Sequence, residues 1–334
     1  MPDAWSHILC GKEIINLIKD NEYKKIIEDN IKAFNLGAQG PDIFLYYPFW
    51  KQSKYKWVKY PGDLLHTEKT RDFILRGLSF LNDEIGRDNK NYPMFFAYFM
   101  GYITHYSLDN NCHPFIYYFA GVYDKNKPET KKYDVYHKKL EMIIDAIMVK
   151  NKLNKDAYTL SLHKEFDLGE DLPQIIVNFY YEAFKEIYSI KVSKEIIQQN
   201  YRYMKKIIRI FNANSKLAEV VGNINEAIIR KPVKYKYIIY PKKIDKEMDY
   251  LNLYHKEWVH PCDNRDTINK SFLDLYDESV IEGGKMVNVA ISFLNKDIDI
   301  QEIRRDIPNK SYITGRSLQE NSKMRFYKCI FHGL

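Results

Sequence analysis

Apolar residues recur at helical spacing over most of the chain. From about Glu22 to Phe34 they fall on one face of an amphipathic helix, which Gly37, Gly40 and Pro41 break. Residues 37–66 read as a long connection rich in Tyr, Trp and Pro. Thr67 to Phe80 predicts a helix with Thr67 as its N-cap, and Arg87 to Tyr92 a polar linker. Pro93 suits the first turn of a helix reaching about Asn111, with Pro114 and residues 125–128 marking the next connection. Helical spacing returns over Tyr133–Lys150, Leu172–Tyr188 and Ser193–Ala213. Residues 231–270, interrupted by Pro232, Pro241 and Pro261, read as irregular, with only Tyr235 to Tyr240 strand-like. Ser271 to Leu294 predicts the last helix, and the tail after Asn295 is polar. No internal repeat is visible, and the pattern predicts an all-α, multi-helix fold.

Composition narrows this picture. The 334 residues are 45% hydrophobic and 28% charged, ordinary for a globular chain, and only 14 Gly and 12 Pro disfavour a loop-rich or all-β design. The net charge of +7 is spread among acidic residues, as at Lys138, Lys139 and Glu141, which suits solvated faces better than a nucleic-acid-binding arm. Cys10, Cys112, Cys262 and Cys329 form no Cys-x-x-Cys pair, so unpaired thiols in a reducing compartment are expected. Residues 1–20 carry no basic start followed by an apolar block, and no apolar run reaches 18 residues. A cytoplasmic protein without a transmembrane segment is the expectation.

Chemistry enters with two histidine–carboxylate pairs at i, i+4. His105 and Asp109 form one, and His137 and Glu141 form the other on a separate helix. Ala97, Gly101, His105 and Asp109 lie on one stripe of the most apolar helix, and His113 continues the spacing. Ionisable groups on a buried helix are costly unless they are paired or bind metal. Imidazole and carboxylate together suit zinc, which can activate water for hydrolysis of phosphate esters. Cys112, beside His113, is a softer candidate ligand, outweighed by the imidazoles and carboxylates nearby.

Taken in order, Trp5-Ser6-His7, Gly37-Ala-Gln-Gly-Pro-Asp42, Gly62-Asp-Leu-Leu-His66, His105-Tyr-Ser-Leu-Asp109, His113-Pro114 and His137-x-x-x-Glu141 resemble the bacterial zinc-dependent phospholipase C family. That family includes the clostridial alpha-toxins and is related to the single-strand-specific zinc nucleases. The resemblance runs from residue 1 to about residue 150. It implies an all-helical domain with two or three zinc ions in one cleft. By position, Asp42, His66, His105 and Asp109 would hold one ion. His113, His137 and Glu141 would hold a second, and His7 with a bridging Asp109 a third. Asp42 would also be the general base. Pro2 or Asp3 would complete the site at His7.

Asp145, one turn beyond Glu141, is expected to orient His137 or another ligand, or to be plainly structural. Tyr46, Tyr47, Phe49 and Trp50 are candidates for cleft lining or core packing, and His163, His255, His260 and His332 match no metal spacing. Residues 1–230 are expected to form the helical metal-binding catalytic part, with 231–334 a helical extension of the same domain rather than a membrane-docking β-sandwich. A phosphate ester is the expected substrate, phospholipid before single-stranded nucleic acid. A metal-binding protein without activity is the non-enzymatic alternative.

Overall fold

The computed structural model describes residues 4–46, 60–212 and 239–331. In chain order the elements are α1 (Ala4–Ile15), α2 (Asn21–Asp29), α3 (Ile31–Gly37), a 3-10 turn (Gly40–Leu45), α4 (Pro61–Thr67) and α5 (Thr70–Ser79). A π turn (Phe80–Ile85) leads to α6 (Tyr92–Ala120) and α7 (Lys131–Leu153), followed by α8 (Gln174–Tyr188) and α9 (Lys194–Asn212). The last part holds strands β1 (Trp258–His260) and β2 (Asp263–Ile268), then α10 (Phe272–Leu294) and α11 (Ile300–Asp306). Among the described residues the protein is all-α apart from the antiparallel β1–β2 hairpin, which pairs Trp258 with Ile268 and slips register between Val259 and His260. No described helix is long and apolar enough to cross a membrane.

The centre of the molecule is α6, buried on nearly every side because α1, α2, α3, α7 and α10 all pack on it. Its aromatic residues explain the cohesion: Phe95 and Phe99 meet Phe179 of α8 edge-on, with ring centroids 5.3 and 5.5 Å apart. The Ala97–Gly101 part of the stripe works as close packing. A Cβ on Gly101 would come within 2.1 Å of the Phe34 carbonyl oxygen of α3, so the two backbones touch there. Gly101→Ala is therefore expected to destabilise the protein by about 2 kcal/mol or more. Urea unfolding measures this; a loss below about 0.5 kcal/mol would mean that α3 can move aside at no cost.

Several boundaries differ from the sequence pattern. The central helix does not stop near Asn111 but continues through Pro114 to Ala120. An interior proline costs a helix about 3 kcal/mol, and burial of the last two turns around Phe115, Ile116 and Ala120 offsets it. Thr67 is not an N-cap: it ends α4, its hydroxyl donating to the Asp63 carbonyl at 2.6 Å. Glu68 is extended and Lys69 left-handed before α5 begins, so one predicted helix is two. The amphipathic run from Glu22 likewise splits at Asn30, whose side-chain amide donates back to the Ile26 carbonyl.

The predicted connection 37–66 contains the 3-10 turn and α4, and the region 231–270 contains the hairpin. The polar tail holds α11 and a buried Tyr312. By contrast, α10 begins where its pattern does, with Ser271 and Asp274 forming a capping box. Residues 235–238 of the strand-like segment lie outside the described residues, as do Pro2, Asp3, Tyr47, Phe49, Trp50 and His332.

Candidate metal centre

Five elements deliver the ionisable residues to one region. The unbroken α6 carries His105, Asp109 and His113 on a single face at i, i+4, i+8, all buried. His7 comes from the buried α1, Asp42 from the 3-10 turn, His66 from the end of α4, and His137 with Glu141 from α7.

The side chains converge in three groups: His7, His105 and Asp109; Asp42, His66 and His105; His113, His137 and Glu141. Within each group the candidate ligand atoms lie within 4.8 Å of one another. The Asp109 carboxylate stands between three imidazoles, 3.0 Å from His105 Nε2, 3.4 Å from His7 Nε2 and 3.7 Å from His113 Nδ1. The rings of His7 and His105 stack at 4.0 Å. Asp42 Oδ1 lies 3.1 Å from His66 Nε2, and His137 Nε2 lies 2.6 Å from Glu141 Oε1. The structure adds His105 to the His7 group. Cys112 instead faces Ser279 of α10, its Sγ 4.0 Å from the hydroxyl.

Three of the imidazoles are braced by backbone. Nδ1 of His66 donates to the Gly62 carbonyl at 2.7 Å, Nδ1 of His105 to the Ala38 carbonyl at 3.0 Å, and Nδ1 of His113 to the Tyr312 carbonyl at 2.7 Å. With the proton committed to Nδ1, the lone pair sits on Nε2, the usual arrangement behind a metal-ligating histidine. The Gly62–His66 brace is local and visible in the sequence spacing. The Ala38 and Tyr312 carbonyls are supplied from distant segments and have no sequence signature.

The electrostatics favour ligand forms. Burial alone would push the Asp109 carboxyl up, but His105 and His113 hold it well below the usual carboxylate range. Burial works against Glu141 ionising too, yet neighbours including His137 and Lys138 hold it well below that range. Burial lowers His113 strongly, and burial with the adjacent His105 lowers His7, so both favour the neutral imidazole. His105 differs: burial opposes its charge, but Asp109 outweighs this and raises it. A cation in that position would replace the His105 proton.

The residues fit a metal on geometry as well. Nε2 of His7, Nε2 of His105 and both Asp109 oxygens are buried, yet none makes an aligned hydrogen bond among the described residues. Such groups lose several kcal/mol of solvation unless something coordinates them. Four-residue spacing on α6 and convergence of imidazole with carboxylate match zinc's donor preference.

Asp145 braces the site from behind. One of its oxygens accepts from Trp5 N at 2.8 Å and Tyr240 Oη at 3.0 Å. The other accepts from Ser6 N at 2.9 Å and from the Ser6 hydroxyl. It thereby satisfies the first turn of α1, the helix that carries His7. Asp145→Ala would leave buried backbone donors without an acceptor. A loss of about 3 kcal/mol in urea unfolding is expected, with zinc released first from the His7 group. Unchanged stability would show that water replaces the carboxylate.

A central helix that lines up His, Asp and His against candidate ligands from three further helices and a 3-10 turn offers the donor set of a zinc-dependent hydrolase. The sequence model of the family described as zinc-dependent phospholipase C matches residues 6–193 of the 334, more than half of the chain. The chain belongs to that family of zinc-dependent hydrolases. Among curated proteins and solved structures, nothing matches the chain.

Proposed function

We propose that the protein is a phospholipase C-like phosphodiesterase that uses two or three zinc ions, with a phosphate ester, foremost a phospholipid, as substrate. The observation that carries this reading is Asp109, a fully buried carboxylate among three imidazoles whose oxygens make no aligned hydrogen bond among the described residues. Family membership supports the phosphoric ester class.

In this reading Asp109 would serve two ions, one with His7 and the other with Asp42 and His66, and Nε2 of His105, its single free nitrogen, would go to one of the two. His113, His137 and Glu141 hold the third. Zinc, when bound, supplies a Lewis acid for the phosphoryl oxygens and an activated water nucleophile. Asp42 serves as ligand and general base. Its side chain is 14% exposed while Asp109 is fully buried, so it sits where substrate and solvent can reach it. His66, held by Gly62, keeps Nε2 beside the Asp42 carboxylate, so that both would face the same ion. The four cysteines are unpaired, which supports a reducing, cytoplasmic setting.

Metals per chain, counted by elemental mass spectrometry, together with hydrolysis of a phosphatidylcholine micelle, test the proposal. Two or three zinc ions and release of phosphorylcholine are expected. Zinc with cleavage of single-stranded DNA but not lipid would move the substrate to nucleic acid. No zinc after repletion would overturn the reading.

A further inference from the structure

Residues 308–316 lie in the polar tail and beyond the family match, yet they reach the candidate metal centre. The segment is sewn onto the helices first. The Tyr106 hydroxyl of α6 donates to the Pro308 carbonyl at 2.5 Å and accepts from Lys310 N at 2.8 Å, while the Thr70 hydroxyl donates to the Lys310 carbonyl at 2.7 Å. Tyr312, fully buried, comes next. Its N–H donates to the His66 carbonyl at 3.0 Å and its carbonyl accepts from His113 Nδ1 at 2.7 Å. The peptide groups of one residue therefore hold histidines belonging to two different groups of candidate ligands.

The turn after it is locked. Gly315 N donates to the Ser311 carbonyl at 2.9 Å, and the Ser311 hydroxyl accepts from Ile313 N and Thr314 N at 3.2 and 3.3 Å. Gly315 has φ of 63°, and a Cβ there would stand 2.2 Å from the Asn110 carbonyl oxygen. That carbonyl would normally accept from the residue four places on, which is Pro114 and has no N–H. The proline that α6 absorbs and the glycine of this turn thus form one docking point.

We infer that the Ser311–Gly315 turn is a positioning element of the metal centre, and that Tyr312, through its backbone, fixes His66 and His113 for two separate ions. The inference rests on the zinc reading above. The Tyr312 carbonyl sets the His113 tautomer and strengthens Nε2 as a donor; the Tyr312 N–H pins the end of α4 that bears His66. A rigid backbone acceptor does this without the freedom of a carboxylate side chain. It also makes the C-terminal region part of the same catalytic unit as residues 6–193.

The test compares Gly315→Val, which pushes the turn off α6, with Ser311→Ala, which loosens it. Gly86→Ala is the control: Gly86 has φ of 69° and nothing within 4 Å of an added Cβ, so it carries the strain without the contact. Zinc affinity is read by chelator competition on the full chain, and ligand geometry by the visible bands of the cobalt-substituted protein. Gly315→Val is expected to weaken zinc binding by about 10- to 100-fold with altered cobalt bands, and Ser311→Ala to weaken it in the same direction, while Gly86→Ala binds as the unaltered protein does. If Gly315→Val does not fold, Ser311→Ala decides. Unaltered affinity and bands in the folded variants would overturn the inference, as would an equal loss in Gly86→Ala. Absence of zinc from the unaltered chain would instead overturn the zinc reading, and the inference with it.

Discussion

Asp109→Asn is expected to abolish phosphodiester hydrolysis and to reduce the zinc content to a single ion per chain while leaving the fold intact. The carboxylate lies between His7, His105 and His113, 3.4 Å from His7 Nε2 and 3.0 Å from His105 Nε2. An amide of the same shape is a much poorer ligand, so in the proposed arrangement both ions that share Asp109 would be lost, and His113, His137 and Glu141 would keep theirs. A rate loss of at least about a thousandfold corresponds to about 4 kcal/mol of transition-state stabilisation. The fold survives because the change removes a buried charge rather than stranding one. Asp109 is what raises His105, so with an amide there His105 reverts toward the neutral form that burial favours. The metal-free variant should accordingly be no less stable than the metal-free parent. Elemental analysis, a phosphodiesterase assay and thermal unfolding without metal check the three parts. Retention of all the zinc would show that Asp109 does not bridge.

The candidate ligand pairs were legible in the sequence because their geometry is local. His105 with Asp109, and His137 with Glu141, need only a helix to share a face, and the apolar run around them marks that helix. The length of α6 was not legible: Pro114 is a local stop signal, and it is overridden by burial against elements far away in the chain. The break between α4 and α5 turns on the conformation of Glu68 and Lys69, which pattern does not disclose. Asp145 stood out as a candidate partner of the ligands, but its partners Trp5 and Ser6 are about 140 residues away. Its role therefore follows from packing and not from spacing on α7. Tyr312 was invisible for a stricter reason: it acts through peptide groups, which every residue possesses.

Stripping zinc with a chelator is expected to lower the melting temperature by roughly 10 °C, since an ion present at a thousandfold its Kd adds about 4 kcal/mol by linkage. The destabilisation should grow with the number of ions removed, and the ions should not leave together. His7, His105 and Asp109 have side chains no more than 1% exposed, whereas His137 and Asp42 are 16% and 14% exposed. A chelator or a proton reaches the His137 and Asp42 groups first, so the ion among His7, His105 and Asp109 should be the last to go. Acid assists the process, with a definite sign. Asp109 raises His105, so removal of the cation there is coupled to proton uptake. Zinc retention should therefore weaken as pH falls through the raised His105 range, which lies above the ordinary imidazole value of about 6.5, and strengthen at higher pH. Stepwise zinc release followed by calorimetry at two pH values separates the steps. A single-phase release with no pH dependence would mean that the buried ligands do not discriminate between the ions, and the order proposed for their loss would have to be abandoned.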